Sequence, residues 1–487
     1  MQSKPLKICL ASSEFTTLAK AGGLADVASA LSIYLDRAGH DVRVLLPFYA
    51  RIESLGLDIE PVPELASMST RLGGVEQPYS IVRARLPNAN LKVYLLQCPA
   101  FYSRGSIYTD DQDEHLRFVL LSRAAIEMCQ HLRFAPDIFH CHDWQTALIP
   151  LYLRTVYAWD RVFEHTRSVL TIHNIGYQGM FPSYTLPQLG LGSAEHLLHQ
   201  DDLKDGVINY LKTGIMYAQL ITTVSPTYAR EILGDDYGMG LNVALRERMG
   251  TVTGILNGVD YDEWDPQTDT LIPARFGPDD LAGKRACKER LMLETGLEAN
   301  LDRPLVGIVA RLVGQKGLDL VEQVVPSLLE RRDFALNVLG SGERRFEDFF
   351  NWLQSRFRGR VSFYAGYNNE LSHWIEAGAD MFLMPSLYEP CGLNQMYSLK
   401  YGTVPIVRET GGLADSVQQI DPSNRTGNGI LFRDYNAQGL DWALNRALDF
   451  YQDKELWHAV MLNGMRQDFS WDRQGAQYVE LFRRLSH

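Results

Sequence analysis

"AKAGGLADVASAL" (residues 19–31) follows the apolar run "LKICLASSEF" (6–15), and its core Gly-Gly-Leu-Ala-Asp returns in "VRETGGLADSV" (407–417) behind "TVPIV" (403–407). A buried strand, a glycine turn and an amphipathic helix form the repeating unit of a doubly wound parallel sheet. One such unit near each end of the chain predicts two α/β domains. Ligands of these sheets bind beyond the carboxyl ends of the strands, where helix N-termini offer unpaired amides and partial positive charge to a phosphate. Glycine lets the backbone come close to the ligand. The two loops therefore predict a shared cleft, with Gly22 and Gly23 on one side and Gly412 on the other.

The same rhythm fills the chain. "KICLASS" (7–13), "HDVRVLLP" (40–47), "DIFHCH" (137–142), "RSVLTIHN" (167–174) and "QLITTVS" (219–225) read as strands of a first domain. A second series begins at "PLVGIVARL" (304–312) and runs through "FALNVLGSG" (334–342), "VSFYAG" (361–366) and "DMFLMPS" (380–386). Between them lies an irregular stretch rich in Gly, Pro and Asp (254–280). This divides the 487 residues into a first domain at 1–250, a second at 251–467 and a final segment at 468–487. The last reads as an amphipathic helix, with Trp471, Tyr478, Leu481 and Phe482 on one face, expected to cross back to the first domain.

Composition narrows the partners. A net charge of −12 argues against nucleic acid and anionic membrane surfaces. No apolar stretch approaches the ~20 residues of a membrane span. Six scattered cysteines without a C-x-x-C pair, and no signal-peptide pattern, suggest reduced thiols in the cytoplasm. Neither a P-loop nor a complete dinucleotide fingerprint is present, since "GSGERR" (340–345) lacks the third glycine. Instead, "VGIVARLVGQKGLDLV" (306–321) places Arg311 and Lys316 after a strand, among glycines, where a guanidinium fork and an ammonium suit a diphosphate leaving group.

In "DMFLMPSLYEPCGLNQMYSLKYG" (380–402), proline at the first helical position and glycine past the last predict a helix from Pro390 to about Gly402. That would set Glu389 at a helix N-terminus, where a carboxylate is stabilised. "FHCHDWQTA" (139–147) tempts a metal reading, but neighbouring strand residues face opposite sides and no second cluster completes a ligand set. The triplets Asp111–Asp113 and Asp260–Asp262 are what an acidic chain produces by chance, so no metal and no cofactor are expected.

In order, "AKAGGLADV" (19–27), "HCHDW" (140–144), "LTIHNIGYQGMFP" (170–182), "TVSPTYARE" (223–231), "GILNGVD" (254–260), "ARLVGQKGLDL" (310–320) and "LYEPCGLNQMYSLKYGTVPIVRETGGLADSV" (387–417) resemble the bacterial glycogen synthase and plant starch synthase family. The resemblance runs from Ile8 to about Trp471. It implies two facing Rossmann-like domains of GT-B type. It also implies retaining transfer of glucose from a nucleotide-diphosphate sugar, ADP-glucose or UDP-glucose, to an α-1,4-glucan primer.

The resemblance gives Glu389, Lys316, Arg311, Asp143 and His173 catalytic roles. Lys20, Gly22, Gly23, Asn257, Tyr367, Cys391, Gly392, Leu393, Asn394 and Gly412 would bind the donor, with Tyr367 stacking on the base. Glu14, Asp26 and Asn174 line the same cleft. Many related retaining transferases carry a second Glu eight positions after the first; here that position is Tyr397. With no evident nucleophile, a front-face mechanism follows, in which the leaving diphosphate helps deprotonate the incoming hydroxyl. Two other readings share the fold. A pyridoxal-phosphate phosphorylase needs a lysine Schiff base and a longer chain. A non-catalytic sensor does not require Lys20, Arg311, Lys316 and Glu389 together.

Overall fold

The computed structural model describes residues 4–86 and 89–486. They form two units: the described residues up to 224, with 229–258 and 471–486, belong to the first, and 225–228 with 259–470 to the second. The first unit extends eight residues past the expected boundary at 250, because the short strand Val252–Gly254 pairs in parallel with Leu220–Thr223 and completes its sheet.

The first unit is built on a ten-stranded sheet. Seven strands run parallel, in the order Val252–Gly254, Leu220–Thr223, Arg167–Ile172, Ile138–His142, Lys7–Ala11, Asp41–Pro47 and Lys92–Gln97. Val75–Ala84 and Ile59–Pro61 then continue it antiparallel, and the tenth strand, Met68–Leu72, pairs antiparallel with Val75–Ala84 off this path. The central strands read as unbroken apolar runs because helices cover both faces; Ile8, Cys9, Leu10 and Ala11 are all fully buried. The first helix, Gly23–Arg37, buries Leu24, Val27, Ala28, Leu31 and Leu35, the stripe that helical periodicity demands.

The terminal helix, Trp471–Ser486, buries Trp471, Tyr478, Leu481 and Phe482 within the first unit. It packs against the first helix so closely that a Cβ at Gly475 would lie 2.2 Å from the Tyr34 ring.

The second unit holds six parallel strands in the order Val361–Ala365, Ala335–Gly340, Leu305–Val309, Met381–Met384, Val404–Arg408 and Ile430–Phe432. By chain order this is 3-2-1-4-5-6, the doubly wound arrangement whose direction reverses between its first and fourth strands. The connections that leave those two strands turn to opposite faces of the sheet at this switch point, the place where doubly wound sheets bind their ligands. The first unit has its own reversal between Lys7–Ala11 and Ile138–His142, which pair directly.

Candidate functional site

In the second unit the two switch-point loops are zipped together. The Leu387 amide donates to Gln315 O at 2.9 Å, and Gln315 Nε2 donates to Tyr388 O at 3.1 Å. Gly317 has φ +72° and sits against the backbone of the second loop; a Cβ there would meet Pro385 O at 2.0 Å. One residue earlier, Lys316 Nζ donates to Glu389 Oε2 at 2.6 Å, and Ser386 Oγ donates to the same oxygen at 3.0 Å. Lys316 and Glu389 thus come together as a largely buried ion pair. Arg311 is exposed and makes no ion pair with another described residue. Tyr367 is 84% exposed, and its hydroxyl donates to Asn369 Oδ1 at 3.3 Å.

The expected helix from Pro390 does not form there; it begins at Asn394 and ends at Lys400. The intervening backbone turns instead, with Gly392 at φ +70°, and the Gly412 amide approaches both Glu389 O and Pro390 O at 3.2 Å. Glu389 therefore owes its place to Lys316 and Ser386, not to a helix N-terminus. Asn394 Nδ2 is committed to Val309 O at 2.8 Å, so this residue braces the end of the central strand. Cys391 is buried and Leu393 caps the helix. Tyr397 lies flat on Trp264, centroids 4.0 Å apart and planes within 1°, and Trp264 stacks on His373 at 3.8 Å. The position of the missing second carboxylate is thus filled by an aromatic sandwich.

The two Gly-Gly-Leu-Ala-Asp motifs differ in their surroundings. Around Gly22 and Gly23 a Cβ would find nothing within 4 Å, so that loop is open. At Gly412 a Cβ would lie 2.1 Å from Cys391 O, and at Gly411 1.9 Å from Glu389 O. The space beside Gly412 is thus filled by the Cys391 backbone, and that beside Gly411 by Glu389 and Pro390. The aspartates diverge too. Asp26 accepts from Lys20 Nζ at 2.7 Å and Thr16 Oγ1 at 3.0 Å, whereas Asp415 accepts from Ser225 and Thr227.

The first unit assembles its own cluster at its switch point. Glu14 Oε2 accepts the amides of Ala21 and Gly22 at 2.6 and 2.9 Å, and Oε1 accepts Tyr108 Oη–H at 2.5 Å. Burial pushes the Glu14 carboxyl above its ordinary pKa, against these donors. Asp143 ends the neighbouring strand at φ +53° and accepts the His173 amide at 2.7 Å. Burial drives its pKa up to about 8, despite amides from His173 and Asn174 and helped by the Glu14 charge. Burial thus favours the neutral form of the Asp143 carboxyl.

His173 Nε2 pairs with His142 Nδ1 at 2.8 Å, and burial lowers the His173 pKa to about 3, leaving a neutral ring. Asn174 Oδ1 accepts the Gly176 amide at 2.9 Å and shapes the following turn. Asn257 is buried with its Oδ1 unpartnered among the described residues. Asp111 and Asp113 both pair with Arg104. No group of three His, Cys, Asp or Glu side chains among the described residues has the arrangement of a metal site.

Sequence reading missed Tyr108, Ser386, Gln315 and Trp264. Ser386 carried the one usable signal, as a small polar residue directly after a switch-point strand. The others reach partners more than seventy positions away in the chain.

Two family models match the chain: the starch synthase catalytic domain over residues 7–247, and glycosyl transferases group 1 over 294–458. It is 44% identical over 484 residues to a glycogen synthase of Koribacter versatilis, covering 98% of each chain. To a glycogen synthase of Thermotoga maritima it is 41% identical over 485 residues, covering 98% of this chain and 99% of the relative. Among solved structures, the catalytic domain of starch synthase IV from Arabidopsis thaliana, bound to ADP and acarbose, superposes with a TM-score of 0.91 at 35% identity, covering 99% and 100% of the two chains. A sucrose-phosphate synthase from Thermosynechococcus elongatus shares the fold, with a TM-score of 0.61 at 17% identity.

Proposed function

The chain belongs to the glycogen synthase and starch synthase family of GT-B glycosyltransferases, and on that premise we propose that it transfers glucose from ADP-glucose to the nonreducing end of an α-1,4-glucan with retention of configuration. The observation that carries this reading is the Lys316–Glu389 pair at the second unit's switch point. A lysine and a carboxylate held there match the two charges of the reaction. Lys316, with Arg311, neutralises the departing diphosphate, and Glu389 receives sugar hydroxyls or balances the positive character growing at the anomeric carbon.

The anomeric C–O bond breaks and its electron pair stays on the diphosphate. The acceptor hydroxyl oxygen bonds to the anomeric carbon from the same face and loses its proton to a phosphate oxygen. Burial raises the Asp143 pKa to about 8 and lowers that of His173 to about 3, so both groups favour their neutral forms. They can orient sugar hydroxyls, Asp143 as a hydrogen-bond donor, without adding charge. Exposed Tyr367 provides a stacking face for the base, which suits either adenine or uracil.

A panel of ADP-, UDP- and GDP-glucose against glycogen, with product linkage read by NMR, tests this reading. New α-1,4 linkages, made fastest from ADP-glucose, are expected. Absence of glucan extension from every donor would overturn it. Activity is expected to survive exhaustive chelation; a loss restored by Mn²⁺ would instead point to the aspartate triplets.

A further inference from the structure

We propose that Gln395, which does not touch Glu389 itself, is a positioning residue for the Glu389 loop; this rests on the donor-site role proposed for that loop. Gln395 is fully buried. Its Nε2 donates toward Cys391 O at 3.1 Å, Gly392 O at 3.0 Å and Ser416 Oγ at 3.1 Å. Ser416 Oγ–H in turn donates to Gly412 O at 2.6 Å, and the Gly412 amide returns to Glu389 O and Pro390 O at 3.2 Å. The ring is closed: the Glu389–Gly392 turn, the second Gly-Gly turn and the helix Asn394–Lys400 meet at one side-chain amide.

The chemistry of that amide is specific. Two of its three neighbours are carbonyl oxygens, which only accept, so the nitrogen must face them. Its oxygen points at Gly392, where a Cβ would come within 2.5 Å, and has no partner among the described residues. The donor end is therefore what the site uses. No other neutral side chain of this length and shape supplies two hydrogens to two carbonyls. A glutamate would set oxygen against oxygen, and a methionine would leave the turn without its tie. Because Glu389 opens that turn, release of the tie lets its carboxylate drift from Lys316 and from the donor.

The test uses the full chain with Gln395→Met, Gln395→Glu and Ser416→Ala. It reads kcat, KM for ADP-glucose, KM for glycogen, ADP affinity by calorimetry, and melting temperature. Misplacement of a reacting group by about 1 Å costs about 100-fold. Both Gln395 variants are expected to lose kcat on that scale and to bind ADP more weakly, with glycogen KM unchanged. Ser416→Ala should move the same parameters in the same direction but by less, since it removes one of the amide's three partners.

A lower melting temperature with wild-type kcat per folded molecule would overturn the assignment. So would equal losses in the ADP-glucose and glycogen parameters. If the Gln395 variants do not fold, Ser416→Ala decides, and an unchanged kcat in it overturns the proposal. Failure of the functional reading is separate: wild-type protein would then not extend glucan from any donor, whereas the positioning role would still show as weaker ADP binding.

Discussion

Lys316 Nζ lies 2.6 Å from Glu389 Oε2, across the two loops that leave adjacent parallel strands of the second unit. The lysine keeps 19% of its side-chain exposure and the glutamate 7%, so the pair is shielded and yet open enough on one side to meet a ligand. In the free protein each charge serves as the other's counterion. On the proposed function, a bound diphosphate would give the lysine a second anionic partner at a position already fixed by the first.

Removal of one member of this pair strands the other. Lys316→Ala should cost stability toward the lower end of about 3–5 kcal/mol, since some exposure remains, and should lower kcat by roughly 100–1,000-fold. The double variant Lys316→Met with Glu389→Gln removes both charges and should regain most of the melting temperature while staying inactive. Recovery of activity in the double variant would show that the pair serves only the fold.

The two glycine loops should separate under the same substitution. Gly23→Ala meets open space at an ordinary φ, so its melting temperature should stay near that of the wild type, while close approach of the donor is obstructed. Gly412→Ala drives a methyl into Cys391 O and should destabilise by about 3 kcal/mol or more, as overpacking against backbone does. Thermal melts beside donor KM measurements check both. Equal melting temperatures would contradict the packing described at Gly412.

Asp143 makes stability depend on pH in a defined direction. Its carboxyl titrates at about 8 when folded against 3.8 as the ordinary value, so the folded state holds the proton more tightly. Stability from this group is full below the lower value and is lost as pH climbs through the window to the upper one. Asp143→Asn keeps an oxygen to accept the His173 amide and has no proton to lose. Its melting temperature should gain on the wild type steadily from pH ~4 to ~8 and hold a constant lead above. A constant difference across the range would refute the assignment.

Tyr397→Glu would restore the carboxylate spacing of related transferases, but beneath Trp264 rather than in solvent. We expect a loss of several kcal/mol from the broken stack and the buried charge, and no gain in kcat. The loss should be smaller in mildly acidic than in mildly alkaline buffer, because burial favours the protonated carboxyl. Melts at two pH values check it.

Local pattern was enough to determine the architecture of this protein. Apolar runs such as Ile8–Ala11 and Leu305–Ile308 are buried on both faces in parallel sheets, and the helical stripe of Gly23–Arg37 is written at 3.6-residue spacing. The order of motifs along the chain likewise carried the family and drew attention to Glu389, Lys316 and Asp143.

What tertiary structure alone decided is which of these groups touch. Lys316 meets Glu389 from 73 positions away because two strands pair side by side. Identical Gly-Gly-Leu-Ala-Asp motifs became one open loop and one packed loop because different backbone lies beside them. The protonation of Asp143 was likewise beyond the sequence, since a pKa is set by the water that neighbouring elements remove. A residue's identity supplies its chemistry, but its contacts and dielectric surroundings come from segments far away in the chain.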